Sequence, residues 1–196
     1  MNQELITYKF KHIPVIVSDR LFLRPMKLSD YNYMYDYAKR PELTKFLLWS
    51  PHPSLEYSKS FIKFVQKRYR AGQFYDWAIE EKESGRMIGT CGFASIDVEN
   101  RKAELGYVIN PDFQHRGYAH EAATQILNFG FAELELNRIE CRFMQGNEAS
   151  FKVMKKLGMT FEGYLRDAIY VKGEYRTIGM CSILKEEYEK GNMSNN

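Results

Sequence analysis

Two periodicities alternate along this chain, and the points where one gives way to the other predict its elements. Short strand-like runs bounded by turn formers occur at Leu21–Arg24, Phe74–Glu80, Met87–Ile96, Lys102–Ile109 and Arg138–Met144. Two more, Phe161–Val171 and Tyr175–Leu184, flank Lys172-Gly173 and predict a closing hairpin, and Ser84-Gly85 predicts the turn after the second strand. Helical spacing fills the gaps. Ser29 is placed to cap a helix through Ala38, which Pro41 ends, and Ser54 to cap one reaching Ala71. Ala119, Ala122, Ala123, Ile126, Leu127, Gly130, Phe131 and Leu134 form an i, i+3, i+4, i+7 stripe behind a start near Gly117 or Tyr118. Asn147–Leu157 predicts a short helix closed by Gly158 as its C′ glycine. The order β, α, α, three strands, α, β, α, β, β describes an α/β fold, one domain over residues 1–190 around a single sheet. Residues 191–196 are small and polar and are expected to fray. The long helix leaves the C-terminal end of a central strand, and such a crevice is where α/β sheets hold ligands.

Composition narrows the function classes. The chain has 196 residues, 44% of them apolar, and a net charge of +3, which is too mild to argue for nucleic acid. The most basic stretch carries Lys59, Lys63, Lys67, Arg68 and Arg70, with Ile62, Val65 and Tyr69 as a buried stripe. It reads as a solvated helix face, with an RNA-facing patch as the alternative. Cys91, Cys141 and Cys181 stand alone in strand-like runs, with no Cys-x-x-Cys and no His/Cys cluster, so no structural metal is expected. Buried free thiols suit a reducing compartment. No run approaches the roughly 20 apolar residues of a membrane span, and the expected location is cytoplasmic.

The segment Gln114-His115-Arg116-Gly117-Tyr118-Ala119 lies between the strand ending at Ile109 and the long helix. A helix start exposes unpaired N–H donors and the positive end of the dipole, which suits a phosphate. Gly117 lets the main chain approach an anion, Ala119 keeps the first turn slim, and Arg116 offers a cationic arm. Taken alone, Gly-x-Ala at a helix start also describes a plain tight turn. The dinucleotide pattern Gly-x-Gly-x-x-Gly and the P-loop Gly-Lys-Ser/Thr are both absent.

Gln114-x-x-Gly117-x-Ala119 after the strand Gly106-Tyr107-Val108-Ile109 resembles the acetyl-CoA loop of the GNAT N-acetyltransferases. Asn147-Glu148-Ala149-Ser150, Lys156-Leu157-Gly158-Met159 and Glu162-Gly163-Tyr164-Leu165-Arg166 resemble the RimJ/RimL branch, which includes ribosomal-protein N-terminal acetyltransferases. Leu21-Phe22-Leu23-Arg24-Pro25 and Ser182-Ile183-Leu184-Lys185-Glu186-Glu187-Tyr188 also match that branch, so the likeness spans about residues 17 to 188. The resemblance implies a mixed, mostly antiparallel sheet with helices on both faces and acetyl-CoA in a central crevice. It implies that the N–H groups of Gln114, His115, Arg116, Gly117, Tyr118 and Ala119 hold the pyrophosphate. The pantetheine arm would run along Tyr107, Val108 and Ile109, and Asn147 would meet it near the thiol, in addition to capping its helix.

Acetyl transfer to an amine requires removal of an ammonium proton, stabilisation of the thioester oxygen and a proton or hydrogen bond for the departing sulfur. Glu104, two residues before Gly106, is the candidate base, with an ordinary strand glutamate as the alternative. A backbone N–H near Tyr107 or Val108 is the candidate oxyanion donor. Many GNAT enzymes use a tyrosine to protonate the sulfur, but the matching position here is Met154. The RimJ/RimL branch offers a serine matching Ser150, which is the candidate instead, with a helix-start role as its alternative. Thr177 and Cys181 also depart from the branch, which often has Asp and Tyr there.

Trp49, Tyr75, Trp77, Tyr164 and Tyr170 are either acceptor-pocket aromatics or core, while His115 and His120 read as solvated residues. The expected activity is an acetyl-CoA-dependent N-acetyltransferase acting on a protein N-terminal amine, ribosomal protein-like. The alternatives are a small amine (polyamine, amino acid or antibiotic) as acceptor, or a non-catalytic acyl-CoA-binding or ribosome-docking module. Either a monomer or a homodimer, through edge strands near the C-terminus, is compatible with this pattern.

Overall fold

A computed structural model describes residues 2–193. In chain order the elements are α1 (Gln3–Lys11), β1 (Ile16–Val17), β2 (Leu21–Arg24), α2 (Tyr31–Ala38), α3 (Pro41–Thr44), α4 (Leu55–Arg70), β3 (Asp76–Glu81), β4 (Met87–Asp97), β5 (Lys102–Ile109), α5 (Tyr118–Ala132), β6 (Arg138–Met144), α6 (Glu148–Lys156), β7 (Thr160–Val171), β8 (Glu174–Leu184) and α7 (Lys185–Met193). The strands form one sheet in the order β1-β2-β3-β4-β5-β6-β8-β7. Every pairing is antiparallel except β5 with β6, which is parallel because α5 carries the chain across the sheet between them.

The expected strands and most caps appear where the periodicity put them. The Ser54 hydroxyl accepts a hydrogen bond from the Tyr57 N–H at 3.2 Å, and Asn147 Oδ1 accepts one from the Ser150 N–H at 3.2 Å. Ile62, Val65 and Tyr69 are the buried face of α4. Four elements lie outside the expectation. Helix α1 is short and mostly polar, yet Ile6 and Phe10, one turn apart, are fully buried in the main core. Strand β1 has only two residues. Pro41 begins α3 instead of merely ending α2, because a missing N–H costs nothing at a first helical position. Ser29 sits inside a 3-10 turn, and no side chain caps α2; Asp30, the residue before it, instead accepts from the Lys27 N–H at 2.7 Å and pairs with Arg24 at 2.8 Å. At the other end α7 continues through Met193, so the expected tail begins inside a helix, and residues 194–196 lie outside the described residues.

Two cores sit on opposite faces of the sheet. Trp77, Cys91, Ala122, Ile126, Phe129 and Ile139 belong to the one beneath α5 and α1. Met34, Tyr37, Ile62, Val65 and Ala78 belong to the smaller one beneath α2 and α4. Register explains the division, since cross-strand partners share a face. The row Trp77–Cys91–Tyr107 faces α5, and the row Ala78–Thr90–Val108 faces α4. All three cysteines are buried free thiols. No helix among the described residues is long and apolar enough to cross a membrane, and no cluster of three or more metal-ligating side chains occurs among them.

Candidate active site

The sheet opens at its centre. β5 and β6 pair only from Lys102–Arg138 to Leu105–Cys141, although β5 runs on to Ile109 and β6 to Met144. Over Gly106–Ile109, β5 keeps β4 on one side and has no strand on the other. A cavity of about 1220 Å³ occupies this gap and spreads along both of its mouths. Its walls include Glu104, Gly106, Tyr107, Val108, Ile109, Gln114, His115, Gly117, Tyr118, Ala119, Asn147 and Ser150, so almost all the sequence-predicted site residues converge on one space. Arg116 is the exception. Its guanidinium turns back to the Asp112 carbonyl at 3.0 Å, and it does not line the cavity.

The loop is held in place from several sides. Gln114 Nε2 donates to the Ile109 carbonyl at 3.0 Å, tying the loop to the end of β5. Arg40 grips Asp112 through two 2.7 Å bonds, and Asn110 caps the 3-10 turn before the loop. Gly117 is the N-cap of α5 with φ +83°, a left-handed conformation that costs glycine little. A Cβ there would meet only Arg20, at 3.5 Å, so backbone conformation rather than space selects the glycine. No side chain caps α5, which leaves its first-turn N–H donors to a ligand. The Tyr118 side chain is used structurally, since its hydroxyl donates to buried Glu81 and its ring carries Arg20 at 4.5 Å. Arg20 in turn donates to the Arg116 carbonyl and to Glu121, fixing the loop and the start of α5 to the residue that leads into β2. His115 adopts a positive φ of 62° and lines the cavity together with His120, Lys152 and Lys156, and the two lysines give this end of the space a cationic character.

Glu104 lies at the split itself. Its carboxylate is 3.3 Å from Arg142 Nε and its side chain is 24% exposed. Burial raises its carboxyl above the ordinary glutamate range, with Arg142 opposing and Glu140 adding to the rise. Gly106, two residues on and on the same face, looks onto open space, because a Cβ there would meet nothing within 4 Å. On the opposite face, the Tyr107 hydroxyl is 3.0 Å from Ser150 Oγ and 3.1 Å from the Ser150 carbonyl. Burial pushes the Tyr107 phenol well above its usual range, so it stays a donor. Because Asn147 Oδ1 is occupied by the Ser150 N–H, its amide NH2 is the part left to meet a ligand.

The far mouth is mostly aromatic, with scattered carboxylates. Glu42, Phe46, Trp49, Phe74, Tyr75 and Asp76 line it. Of the five aromatic candidates, Trp49 and Tyr75 are here. Trp77 is fully buried, with its ring N–H on the Pro14 carbonyl at 2.8 Å, so it belongs to the core. Tyr164 and Tyr170 are exposed on β7 and do not line the cavity, which that strand meets through Ile169. Met154 is buried, Cys181 is buried in the main core, and Thr177 Oγ1 accepts from the Asp167 N–H at 3.3 Å. Sequence reasoning did not find Asp76, Arg142, Phe46, Lys152 or Lys156. Arg142 was within reach of it, alternating with Glu140 on a strand beside Glu104, and so were Lys152 and Lys156, which share a helical face with Ala149 and Val153, whereas Asp76 and Phe46 share no periodicity with the site.

Comparison with known proteins gives a consistent result. Residues 20–160 match the family described as "Acetyltransferase (GNAT) domain". The chain is 36% identical over 173 residues to "Uncharacterized N-acetyltransferase p20" of Bacillus licheniformis, covering 88% of this chain and 97% of that protein. It is 33% identical to "Putative ribosomal N-acetyltransferase YdaF" of Bacillus subtilis, covering 88% and 96%. With the spermidine N(1)-acetyltransferase of Escherichia coli it shares 25% identity, covering 85% and 87%. A crystal structure of a GNAT-family acetyltransferase from Bacillus anthracis superposes with a TM-score of 0.78 at 28% identity, covering 88% of this chain and 99% of that one.

Proposed function

This chain belongs to the GNAT acetyltransferase family, and from that premise we propose that it moves the acetyl group of acetyl-CoA to the N-terminal amine of a protein chain. The observation that carries the reading is the unpaired β5 edge over Gly106–Ile109, with an uncapped helix start at one mouth and Glu104 at the other.

The residues present fit acetyl-CoA. The first-turn N–H groups of α5 and the loop N–H groups from Gln114 to Ala119 suit its pyrophosphate, with His115, Lys152 and Lys156 nearby. The free edge of β5 at Tyr107, Val108 and Ile109 suits the amide-bearing pantetheine arm, which can pair as an added strand. The Asn147 amide faces the same path. Acetyl-CoA, when bound, supplies an activated acyl group on sulfur.

The chain's own residues then divide the work across the sheet. Glu104 takes the proton from the incoming ammonium, directly or through a water, and its raised carboxyl brings it nearer the range a base needs at neutral pH. Arg142 holds one carboxylate oxygen and leaves the other to the amine. Backbone N–H groups near Tyr107 and Val108 stabilise charge on the thioester oxygen. As the new C–N bond forms and the C–S bond breaks, the Ser150 hydroxyl donates to the departing sulfur, and the Tyr107 phenol keeps that hydroxyl oriented. Base and sulfur donor lie on opposite faces of β5, joined by the gap where β6 departs.

A protein N-terminus is preferred to a polyamine because the acceptor mouth has an aromatic and apolar wall and only scattered carboxylates. The similarity to YdaF, higher than that to the spermidine enzyme, points the same way. The test is calorimetric titration with acetyl-CoA, followed by release of CoA thiol over a panel of N-terminal peptides, spermidine and small amines. Thiol release with peptides supports the reading, release with spermidine alone replaces its acceptor, and binding without release favours a docking module or a folded ribosomal surface that peptides do not imitate.

A further inference from the structure

Helix α4 carries Lys59, Lys63, Lys67, Arg68 and Arg70 against Glu56 alone, a net charge of +4 on one helix in a chain whose total is +3. All six residues are exposed. Lys59, Lys63, Lys67 and Arg70 follow one another at helical spacing and share one face, away from the buried Ile62, Val65 and Tyr69. Among the described residues none of these four cations forms an ion pair, and Lys59 lies over the Tyr31 ring at 5.3 Å. Helix α7 has the ordinary surface arrangement, pairing Lys185 with Glu189 and Lys190 with Glu186 one turn apart. Like charges one turn apart instead destabilise an exposed helix. The helix dipole offsets that for Lys67, Arg68 and Arg70 in the last turn, and not for Lys59 and Lys63. None of the steps described above uses this row.

The row borders the acceptor mouth. Phe64 and Arg68, one turn apart on the adjoining flank of α4, line the cavity together with Trp49 and Phe74. Phe64 is 52% exposed, and Arg68 lies over its ring at 5.8 Å with its guanidinium on the Gln73 carbonyl at 3.0 Å. A chain leaving the cavity over Phe64 therefore meets the cations next. From Lys59 to Arg70 the row is about 17 Å long, the reach of about five residues of extended chain.

An acidic peptide segment and an RNA backbone both carry the charge such a row attracts, and tethering favours the first. A net charge of +3 is too mild for free RNA, and exposed ion pairs are individually weak. An acceptor held at its N-terminus presents its following residues to α4 at high effective concentration, where weak contacts add up.

We propose that Lys59, Lys63, Lys67 and Arg70 form an exosite for an acidic segment of the acceptor protein, a few residues beyond the amine that is acetylated. The inference rests on the acetyltransferase reading above and gives it a substrate class, protein N-termini followed by clustered Asp and Glu.

The experiment uses three octapeptide amides that share their first three residues and carry glutamates, glutamines or lysines at the rest, assayed by thiol release. With wild type at low salt, kcat/KM is expected to be about tenfold higher for the glutamate peptide than for the glutamine one, the scale of a few exposed ion pairs, and lowest for the lysine one. The gap should close at about 0.5 M salt. Lys59→Gln/Lys63→Gln/Lys67→Gln, three exposed changes to another good helix former, should erase the glutamate preference. The same variant should leave kcat/KM for the glutamine peptide and the KM for acetyl-CoA within about twofold. Lys185→Gln/Lys190→Gln on α7 should keep the preference. Equal kcat/KM for the glutamate and glutamine peptides in wild type, a preference that survives in the triple variant, or one lost equally in the α7 variant overturns the exosite and leaves the acetyltransferase reading intact. An RNA duplex that binds wild type and not the triple variant, with no glutamate preference in turnover, does the same and assigns the row to nucleic acid. No thiol release by wild type with these peptides or the wider panel overturns both.

Discussion

The two mouths of the central cavity are built by opposite strategies. At the α5 mouth the ligand-facing groups are backbone: loop and first-turn N–H donors, and the free edge of β5. Their side chains are spent on holding the loop, as with Gln114 on Ile109, Tyr118 on Glu81, and Arg20 on Glu121. At the α4 mouth the ligand-facing groups are side chains, among them Trp49, Tyr75, Asp76 and Glu104. A backbone site is rigid and tolerates change outside a few conformational positions, whereas a side-chain site is re-specified by single substitutions. A cosubstrate common to a family suits the first and a variable acceptor the second.

That contrast can be broken by experiment, beginning with the largest effect. Gly117→Glu places a negative side chain on a residue at φ +83° beside the helix start. Calorimetry is expected to show no acetyl-CoA binding while circular dichroism shows a folded protein, and unchanged affinity would remove the backbone site. Glu104→Gln is expected to lower kcat by about 100-fold or more and to leave acetyl-CoA affinity within twofold. Its pH profile adds a sharper check. The base acts deprotonated, so wild-type kcat/KM should fall as pH drops through a carboxyl value above the ordinary glutamate range, and the variant should lose that limb. Ser150→Ala is expected to cost roughly tenfold in kcat, and adding Tyr107→Phe should cost little more, since the two hydroxyls act as one unit. Additive losses would separate them. Trp49→Ala should raise the acceptor KM by about fivefold, the scale of one exposed aromatic contact to an amine, with no change for acetyl-CoA.

The smallest effect is on stability. The Asp76 carboxyl is raised in the folded protein to about 7, from an ordinary 3.8. The folded state therefore holds its proton more tightly than the unfolded chain. The associated stability is complete below about pH 4 and is lost as pH rises towards 7. Asp76→Asn, which cannot ionise, should melt a few degrees above wild type at pH 8, with the gap closing at pH 4. An equal gap at both values would show that Asp76 finds a partner in solution.

The acceptor mouth is also where sequence reasoning was weakest. Glu104, Ser150 and Asn147 stood out because each lies at a fixed offset within a recognisable local segment, and the structure brings all three to one cavity. Asp76 and Phe46 lie in unrelated segments, and Trp77 and Tyr164 were indistinguishable in kind from Trp49 and Tyr75. Only the fold separates a core ring from a pocket ring.

Local physics, legible in the sequence, determined the strand and helix periods, the Ser54 and Asn147 caps, the loop before α5 and the family likeness. Each depends on residues a few positions apart, where hydrogen-bond spacing and side-chain alternation act directly. Tertiary structure alone decided where β6 leaves β5, that α1 fills the core with Ile6 and Phe10, and that Asp76 and Glu104 line one cavity. These features depend on pairing between segments tens of residues apart. Register across strands, which places side chains on one face or the other, is set only when the whole sheet has assembled.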